Sequence, residues 1–300
     1  MKRIFSKIWS VFARFHIFRG DYKRLKKLNY DTSSIIKQSD IQYMADKKKA
    51  HRLDIYSLEG YTKDTPVIID IHGGGLFYGY KELNMNFNCE LVKRGFKVIS
   101  LSYTLLPWTT LRGQLAEIIE AFNFIRTNAK KYELNIDNLF LVGDSAGALL
   151  AYISTALNNS SELQDALQLK SANIDIKALG LIAIMLETQR SDFLSPIINL
   201  IGNKKDEQLL GYKYFLDSKL IVNIADFPRT FFNTSKQDFL NSETLALHEL
   251  FTKNNKESVL HNWPEGTDYE LGHVFPVSYP LYKESKQELD DMCKFFMDSL

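Results

Sequence analysis

Short apolar runs alternate with helical patterns along most of the chain, beginning near residue 50. Seven runs have the length and composition of buried strands: 51–56, 66–71, 97–103, 139–142, 178–185, 229–234 and 258–262. Between the third and fourth runs, apolar residues recur at helical spacing from Leu115 to Ile125, which predicts a helix over 115–131. This alternation predicts an α/β fold with a mainly parallel central sheet flanked by helices.

Two segments depart from this alternation. Residues 1–45 begin with a helical pattern in which the apolar residues from Ile4 to Phe15 share one face. Residues 187–227 are long, mixed and locally charged, as expected of an insertion between two strands. We therefore expect residues 1–45 to form a basic amphipathic cap segment and residues 46–300 to form the main domain, with a helical cap insertion at about 187–227.

Positive charge is concentrated at the N-terminal end. Residues 1–27 hold nine lysines and arginines and one acid, Asp21, which leaves the rest of the chain negative although its total formal charge is +1. The near-neutral total gives no support to nucleic-acid binding. Two alternatives remain for the basic helix: it packs on the body as part of a cap over the active site, or it makes a weak contact with a membrane surface.

The remaining composition is that of an ordinary globular chain. Of the 300 residues, 45% are hydrophobic and 24% are charged, which is enough for a large core. The two cysteines lie far apart in the sequence, so they indicate neither a disulfide framework nor a metal cluster. Lys7 and Arg14 interrupt the N-terminal apolar stretch, and no small-residue cleavage site follows. We therefore read no signal peptide and expect a cytoplasmic protein.

The strongest chemical signal is a serine placed between two glycines. The apolar run 139–142 leads directly into Gly-Asp-Ser-Ala-Gly at 143–147, and a helical run follows. A tight strand-to-helix turn of this kind exposes its serine at the edge of a sheet, and the flanking glycines let neighbouring chain pass close by. Ser145 is therefore the candidate nucleophile. The alternative is an ordinary surface serine on a glycine-rich turn.

A glycine-rich loop precedes this turn in the sequence. The apolar run 66–71 ends in His-Gly-Gly-Gly at 72–75. Acyl transfer needs backbone N–H groups that converge on the developing oxyanion, and glycines let the main chain approach closely. We assign an oxyanion hole to the N–H groups of Gly74, Gly75 and Ala146. The alternative is a phosphate-binding loop, but no Lys-Ser or Lys-Thr follows the glycines.

An acid and then a base are expected downstream of a nucleophile on such a turn. Asp238 lies in a short turn after the run 229–234, and His273 lies in the loop after the last predicted strand. Asp226 and Glu243 are weaker alternatives for the acid, because each is expected to point away from that turn. We expect His273 to act as the base and Asp238 to orient it.

Together these motifs resemble those of a known enzyme family. His-Gly-Gly-Gly at 72–75, Gly-Asp-Ser-Ala-Gly at 143–147 and the late Asp238 and His273 are similar to those of hormone-sensitive-lipase-like and feruloyl-esterase-like α/β-hydrolases. The resemblance covers about residues 50–295. It implies the α/β-hydrolase fold and the same triad and oxyanion donors. One stretch departs, because residues 102–108 read Ser-Tyr-Thr-Leu-Leu-Pro-Trp where lipase-like members usually have Asp-Tyr-Arg-Leu-Ala-Pro-Glu.

The resulting hypothesis is a serine carboxylesterase that hydrolyses small, short-acyl carboxylic esters through an acyl-enzyme. This chemistry needs no metal and no organic cofactor. Two alternatives stay open. The first is amide or peptide hydrolysis by the same triad, including arylformamidase chemistry. The second is a non-catalytic binder that keeps the hydrolase fold and lies at a membrane surface.

Overall fold

One eight-stranded sheet organises the computed structural model, which describes residues 1–28, 30–189 and 192–300. The strands are β1 (Ile36–Gln42), β2 (Arg52–Ser57), β3 (Pro66–Ile71), β4 (Lys97–Leu101), β5 (Asn135–Asp144), β6 (Ile176–Ile182), β7 (Arg229–Ser235) and β8 (Ser258–Trp263). Their order across the sheet is β1-β2-β4-β3-β5-β6-β7-β8. The pairs that involve β2 are antiparallel, and all the other neighbouring pairs are parallel. The predicted α/β class with a mainly parallel sheet is confirmed.

Helices cover both faces of the sheet. They are α1 (Lys2–Leu28), α2 (Met85–Val92), α3 (Leu111–Asn128), α4 (Ala146–Asn159), α5 (Ser161–Leu167), α6 (Tyr212–Leu216), α7 (Asn241–Lys253), α8 (Phe275–Ser278) and α9 (Lys283–Met297). Neighbouring residues of a strand point to opposite faces. In β3, Val67 and Ile69 belong to the larger of two buried apolar clusters and Ile68 belongs to the smaller one, so each face of the sheet has its own core.

All seven predicted strands are present, with ends that differ by a few residues, and the helix predicted over 115–131 is α3. The difference is β1, which the hydrophobic pattern did not predict. Its sequence is Ile-Lys-Gln-Ser-Asp-Ile-Gln, and its side chains are exposed or half-buried. Because it pairs only with β2, at the edge of the sheet, it needs few apolar residues. Residues 36–42 of the expected cap segment 1–45 therefore lie in the sheet.

The described part of the insertion expected at 187–227 consists of short helical turns. They are α6 and the 3₁₀ segments Ser195–Asn199, Asp206–Gln208 and Ser218–Asn223. Ile197 and Ile201 belong to the larger core cluster, so this segment is anchored to the body. Arg190 and Ser191, which fall within the expected insertion, lie outside the described residues.

Polar contacts fix α1 to the loops that follow β3 and β4. The guanidinium of Arg14 donates to the carbonyl oxygen of Phe77 at 2.9 Å through Nε and to that of Leu106 at 3.1 Å through Nη2. Near the C-terminal end of α1, Arg24 donates to the carbonyl oxygen of Ser278 at 2.7 Å. Within the described ranges, no helix combines the length and the hydropathy that a bilayer-crossing segment needs. These polar contacts hold α1 close to the carboxyl ends of the parallel strands, where the candidate active site lies.

Candidate active site

Ser145 occupies a strained turn between β5 and α4. Its backbone has φ 53° and ψ −118°, a conformation that costs a residue with a side chain on the order of 1–3 kcal/mol. The flanking glycines are required by close packing. A Cβ on Gly143 would lie 2.4 Å from the carbonyl oxygen of Gly147, and a Cβ on Gly147 would lie 2.0 Å from that of Ile71. The turn therefore places the Ser145 hydroxyl at the carboxyl end of β5.

The structure brings the three predicted triad residues together. The Nε2 atom of His273 lies 3.0 Å from the Oγ of Ser145, and its Nδ1 atom lies 2.9 and 3.0 Å from the two carboxylate oxygens of Asp238. Because an ionised carboxylate only accepts hydrogen bonds, Nδ1 carries the proton of the neutral ring and Nε2 is free to accept from the hydroxyl. This arrangement can deprotonate Ser145.

Backbone N–H groups hold Asp238 in place. The N–H of Leu240 donates to Oδ1 at 2.8 Å and the N–H of Val274 donates to Oδ2 at 3.1 Å. The two weaker candidates for the acid have other partners. Asp226 is 99% exposed and lies 3.8 Å from the ammonium of Lys256, and Glu243 accepts a hydrogen bond from the backbone at 2.8 Å. Asp238 is therefore the acid that the geometry favours.

The glycine loop after β3 faces Ser145 across a cavity. Gly74 and Gly75 have φ values of 108° and 59°, which glycine adopts at little cost. A Cβ on Gly74 would lie 2.3 Å from the carbonyl oxygen of Tyr78. Within 1–28, 30–189 and 192–300, no residue accepts a hydrogen bond from the N–H groups of Gly74, Gly75 or Ala146. All three predicted donors thus have the freedom that an oxyanion hole requires.

The cavity between the glycine loop and the triad has a volume of about 260 Å³. Ser145 and His273 line it, and most of its remaining walls are apolar, as in many small-molecule sites. The ring of Phe239 lies 4.4 Å from that of His273 between centroids, and Phe193 packs against Phe239 at 5.9 Å. These two aromatic rings confine the space next to the base.

Three side chains of α1 also line this cavity, and none of them was predicted from the sequence to belong to the site. They are Ile17, Asp21 and Arg24, and the carboxylate of Asp21 lies 2.9 Å from the guanidinium of Arg24. Their spacing of four and three residues puts them on one face of the helix, and this spacing was the available signal. The N-terminal helix therefore forms part of the cavity wall.

A buried acidic pair beneath the site was also missed. The amide of Asn84 donates to Asp70 at 3.1 Å and to Asp144 at 2.7 Å, and Asn88 donates to Asp70 at 2.9 Å. Burial and the neighbouring charge of Asp144 raise the pKa of Asp70 to about 7, and burial raises the pKa of Asp144. The only signal in the sequence was one aspartate inside the otherwise apolar β3.

His72 lies at the start of the glycine loop and supports it. Its ring is buried and stacked on Tyr103 at 4.5 Å, and its Nδ1 lies 2.8 Å from the carbonyl oxygen of Gly73. Burial lowers the pKa of His72 to about 4, so the ring is neutral near pH 7. A neutral, buried ring that bonds to its own loop helps to hold the backbone of that loop in place.

The comparisons with known proteins agree with this architecture. The BD-FAE family model matches residues 53–240. Among solved structures, esterase B from Lactobacillus rhamnosis, solved with a tributyrin phosphonate, is similar to this chain with a TM-score of 0.86 and 25% sequence identity. The match covers 95% of this chain and 92% of that one, so the similarity extends over the whole fold.

Curated relatives match a shorter part of the chain. An isoprenylcysteine alpha-carbonyl methylesterase from Arabidopsis thaliana is 25% identical over 114 residues, which are 38% of this chain and 27% of that protein. A kynurenine formamidase from Drosophila melanogaster is 30% identical over 106 residues, which are 34% of this chain and 33% of that protein. Each match thus spans about a third or less of the relative.

Proposed function

The chain belongs to the BD-FAE family of α/β-hydrolase esterases and lipases, and from that premise we propose that it is a serine carboxylesterase. Ser145 is the nucleophile, His273 is the general base, and Asp238 orients the imidazole. The observation that carries the proposal is the contact of one imidazole with both the Ser145 hydroxyl at 3.0 Å and the Asp238 carboxylate at 2.9 Å.

The reaction proceeds in two acyl transfers. Ser145 attacks the ester carbonyl carbon while His273 takes the hydroxyl proton, and the imidazolium then protonates the leaving alcohol. The N–H groups of Gly74, Gly75 and Ala146 stabilise the negative oxygen of each tetrahedral intermediate. Water then attacks the acyl-enzyme while His273 takes a proton from it, and the imidazolium returns this proton to the Ser145 oxygen as the carboxylic acid leaves. Residues of the chain supply the nucleophile, the base, the orienting acid and the oxyanion donors.

Small esters with short acyl chains are the proposed substrates. A cavity of about 260 Å³ with apolar walls suits a short acyl group better than a long one. Phe193 and Phe239 stand beside the triad and restrict the space there. The similar esterase B was solved with a tributyrin phosphonate, which supports a preference for short chains in this chain as well.

Hydrolysis of p-nitrophenyl acetate, butyrate and octanoate tests the proposal. We expect kcat/KM to be highest for acetate or butyrate and to fall for octanoate. Ser145→Ala should lose at least about 10³-fold in kcat, because the remaining oxyanion donors cannot replace the nucleophile. A wild-type protein that is no faster than Ser145→Ala on all three esters would reject the hydrolase assignment.

Hydrolysis of amides or formamides by the same triad is the second candidate, and the similarity to a kynurenine formamidase favours it. Butyryl esters, the matched butyryl anilides and N-formylkynurenine separate the two candidates. We expect the ester to be the best of the three. A formamide substrate with the highest kcat/KM would instead assign arylformamidase chemistry. A purely non-catalytic role is the weaker alternative, because binding alone does not require an oriented base beside a strained serine.

A further inference from the structure

The helix α1 directs most of its large apolar side chains to solvent. Phe5, Phe12 and Phe15 are 65%, 72% and 60% exposed. Further large apolar side chains of α1 are also exposed at the same spacing: Ile4, Ile8, Val11, Phe18 and Tyr22. Repeats of three and four residues place all of them on one face of the helix. The result is a continuous apolar stripe, from residue 4 to residue 22, on the outside of the protein.

The opposite face of α1 packs on the body with polar side chains and with the partly buried apolar side chains of Trp9, Ala13 and Ile17. Ser6 and Ser10 are fully buried, Ser6 accepts a hydrogen bond from Asn199 at 3.0 Å, and Arg14 donates to the backbone of the glycine-loop region. A surface helix of a globular protein normally buries its apolar stripe. In α1 the larger part of the apolar surface faces solvent instead, and a large exposed apolar surface is typical of an interaction site.

Exposed cations occur along the same helix. They are Lys2, Lys7, Arg19, Lys23, Lys26 and Lys27. The one acid of the helix, Asp21, faces the cavity and pairs with Arg24. Since residues 1–27 carry nine basic residues in a chain of total charge +1, the rest of the chain is negative and the positive charge is concentrated on this helix.

We propose that α1 is an interfacial helix that lies on an anionic lipid surface. Its phenylalanines enter the boundary between headgroups and acyl chains, and its lysines contact anionic headgroups. A lipid surface matches a stripe that runs along most of a 27-residue helix. A groove on a protein partner engages a few anchor residues instead, whereas the exposed apolar side chains and cations of α1 extend along most of the helix.

The same helix connects that surface to the active-site cavity. Ile17, Asp21 and Arg24 line the cavity from the protein-facing side of α1, while the phenylalanine stripe occupies the other side. A chain bound through this stripe therefore holds α1, which is one wall of the cavity, against the lipid surface. The membrane proposal depends on the exposed face alone and does not depend on the proposed ester hydrolysis.

Vesicle sedimentation with the full-length Ser145→Ala protein tests membrane binding without any hydrolysis of lipid. The vesicles contain phosphatidylcholine alone, or phosphatidylcholine and phosphatidylserine at about 7:3. We expect the protein to sediment with the anionic vesicles. Binding should be about tenfold weaker to the neutral vesicles, and similarly weaker in high salt, because salt screens the lysines.

Matched variants locate the surface that binds. Phe12→Ser with Phe15→Ser, and Lys23→Glu with Lys26→Glu, should each reduce the partition coefficient at least about tenfold. Two controls should leave it unchanged: Leu210→Ser, which removes an apolar side chain that is 85% exposed elsewhere, and Lys130→Glu with Lys131→Glu after α3. In an otherwise wild-type background, all four should keep wild-type melting temperatures and hydrolysis of soluble esters, because these side chains lie on the surface and outside the cavity lining.

Three results would overturn the proposal. The first is an absence of binding to the anionic vesicles. The second is an equal effect of the α1 variants and their controls. The third is a wild-type protein that does not bind vesicles but sediments as a dimer that the Phe12→Ser and Phe15→Ser substitutions dissociate. That result would assign the stripe to an interface with a second copy of the chain. A wild-type protein that binds vesicles but does not hydrolyse esters would count against the proposed function and not against the membrane proposal.

Discussion

The carboxylate of Asp144 accepts a hydrogen bond from the backbone N–H of Gly73 at 3.0 Å. The residue beside the nucleophile therefore holds the glycine loop that faces the nucleophile. Asn84 donates to the same oxygen at 2.7 Å. Asp144, Asn84 and Gly73 are buried, whereas Gly74 is partly exposed. Because Gly74 and Gly75 follow directly, this contact fixes two of the proposed oxyanion donors relative to Ser145.

Removal of that contact should lower catalysis more than substrate binding. We predict that Asp144→Ala reduces kcat on p-nitrophenyl butyrate on the order of 10²-fold, the effect of a lost oxyanion donor, with little change in KM. The unpaired N–H of Gly73 should also cost about 1–3 kcal/mol of stability. Steady-state kinetics and urea unfolding measure the two effects. An unchanged kcat in a destabilised variant would show that the loop is held by other contacts.

The backbone conformation of the loop gives a second prediction. Gly74→Ala should lose most of its activity, because the new Cβ would lie 2.3 Å from the carbonyl oxygen of Tyr78 and force the loop to move. Gly60→Ala is the matched control: its φ of +84° is also unfavourable for alanine, but nothing lies within 4 Å of the added atom. We expect Gly60→Ala to cost about 1 kcal/mol of stability and to keep wild-type kcat. Similar kcat values in the two variants would contradict this account.

The role of the acid is tested by a change of one atom. Asp238→Asn should reduce kcat on the order of 10⁴-fold, because the amide favours the wrong tautomer of His273. Asp226→Asn, at an exposed position that the sequence also offered, should have no effect. Near-normal kcat in Asp238→Asn together with a loss in Asp226→Asn would transfer the acid to the other residue.

The fold was predictable because most of its central strands are buried on both faces, which leaves apolar runs such as 139–142 and 178–182. The edge strand β1 was not, because it pairs on one side only and tolerates the polar residues that a loop also has. Here the pairing partner, and not the local sequence, determines the conformation. Both ends of β5 likewise extend beyond the apolar run 139–142, to the polar residues Asn135 and Asp144, because pairing with the neighbouring strands determines their conformation.

The triad candidates were predictable because chain order and the carboxyl ends of parallel strands restrict the choice to few residues. A cap over the active site was one of the two alternatives for the basic helix, but its lining residues Ile17, Asp21 and Arg24 were not predicted. The face of α1 that docks depends on contacts with backbone carbonyl groups, which have no sequence signature. The pairing of Asp70 with Asp144 depends likewise on the parallel register of β3 and β5, which is a property of the assembled sheet.

The buried pair predicts a pH dependence of stability. Burial and the charge of Asp144 raise the pKa of Asp70 to about 7, whereas the pKa of an aspartate in the unfolded chain is about 4. Between these values the folded state retains a proton that the unfolded state has released, so this aspartate's contribution to stability is lost as pH rises through the window. Asp70→Asn should reduce the slope of the free energy of unfolding against pH in this window by up to about 1.4 kcal/mol per pH unit. Urea unfolding from pH 4.5 to 8 measures it, and parallel curves for the two proteins would contradict the shift.

A fluorophosphonate probe tests the central claim most directly, because it reacts much faster with a serine whose hydroxyl is activated by a nearby base than with an ordinary serine. We predict that mass spectrometry of the labelled wild-type protein finds the adduct on the peptide that contains Ser145. Labelling should be lost in Ser145→Ala and strongly slowed in His273→Ala. An adduct on another serine, or wild-type labelling rates in His273→Ala, would contradict the assignment of an imidazole-activated Ser145.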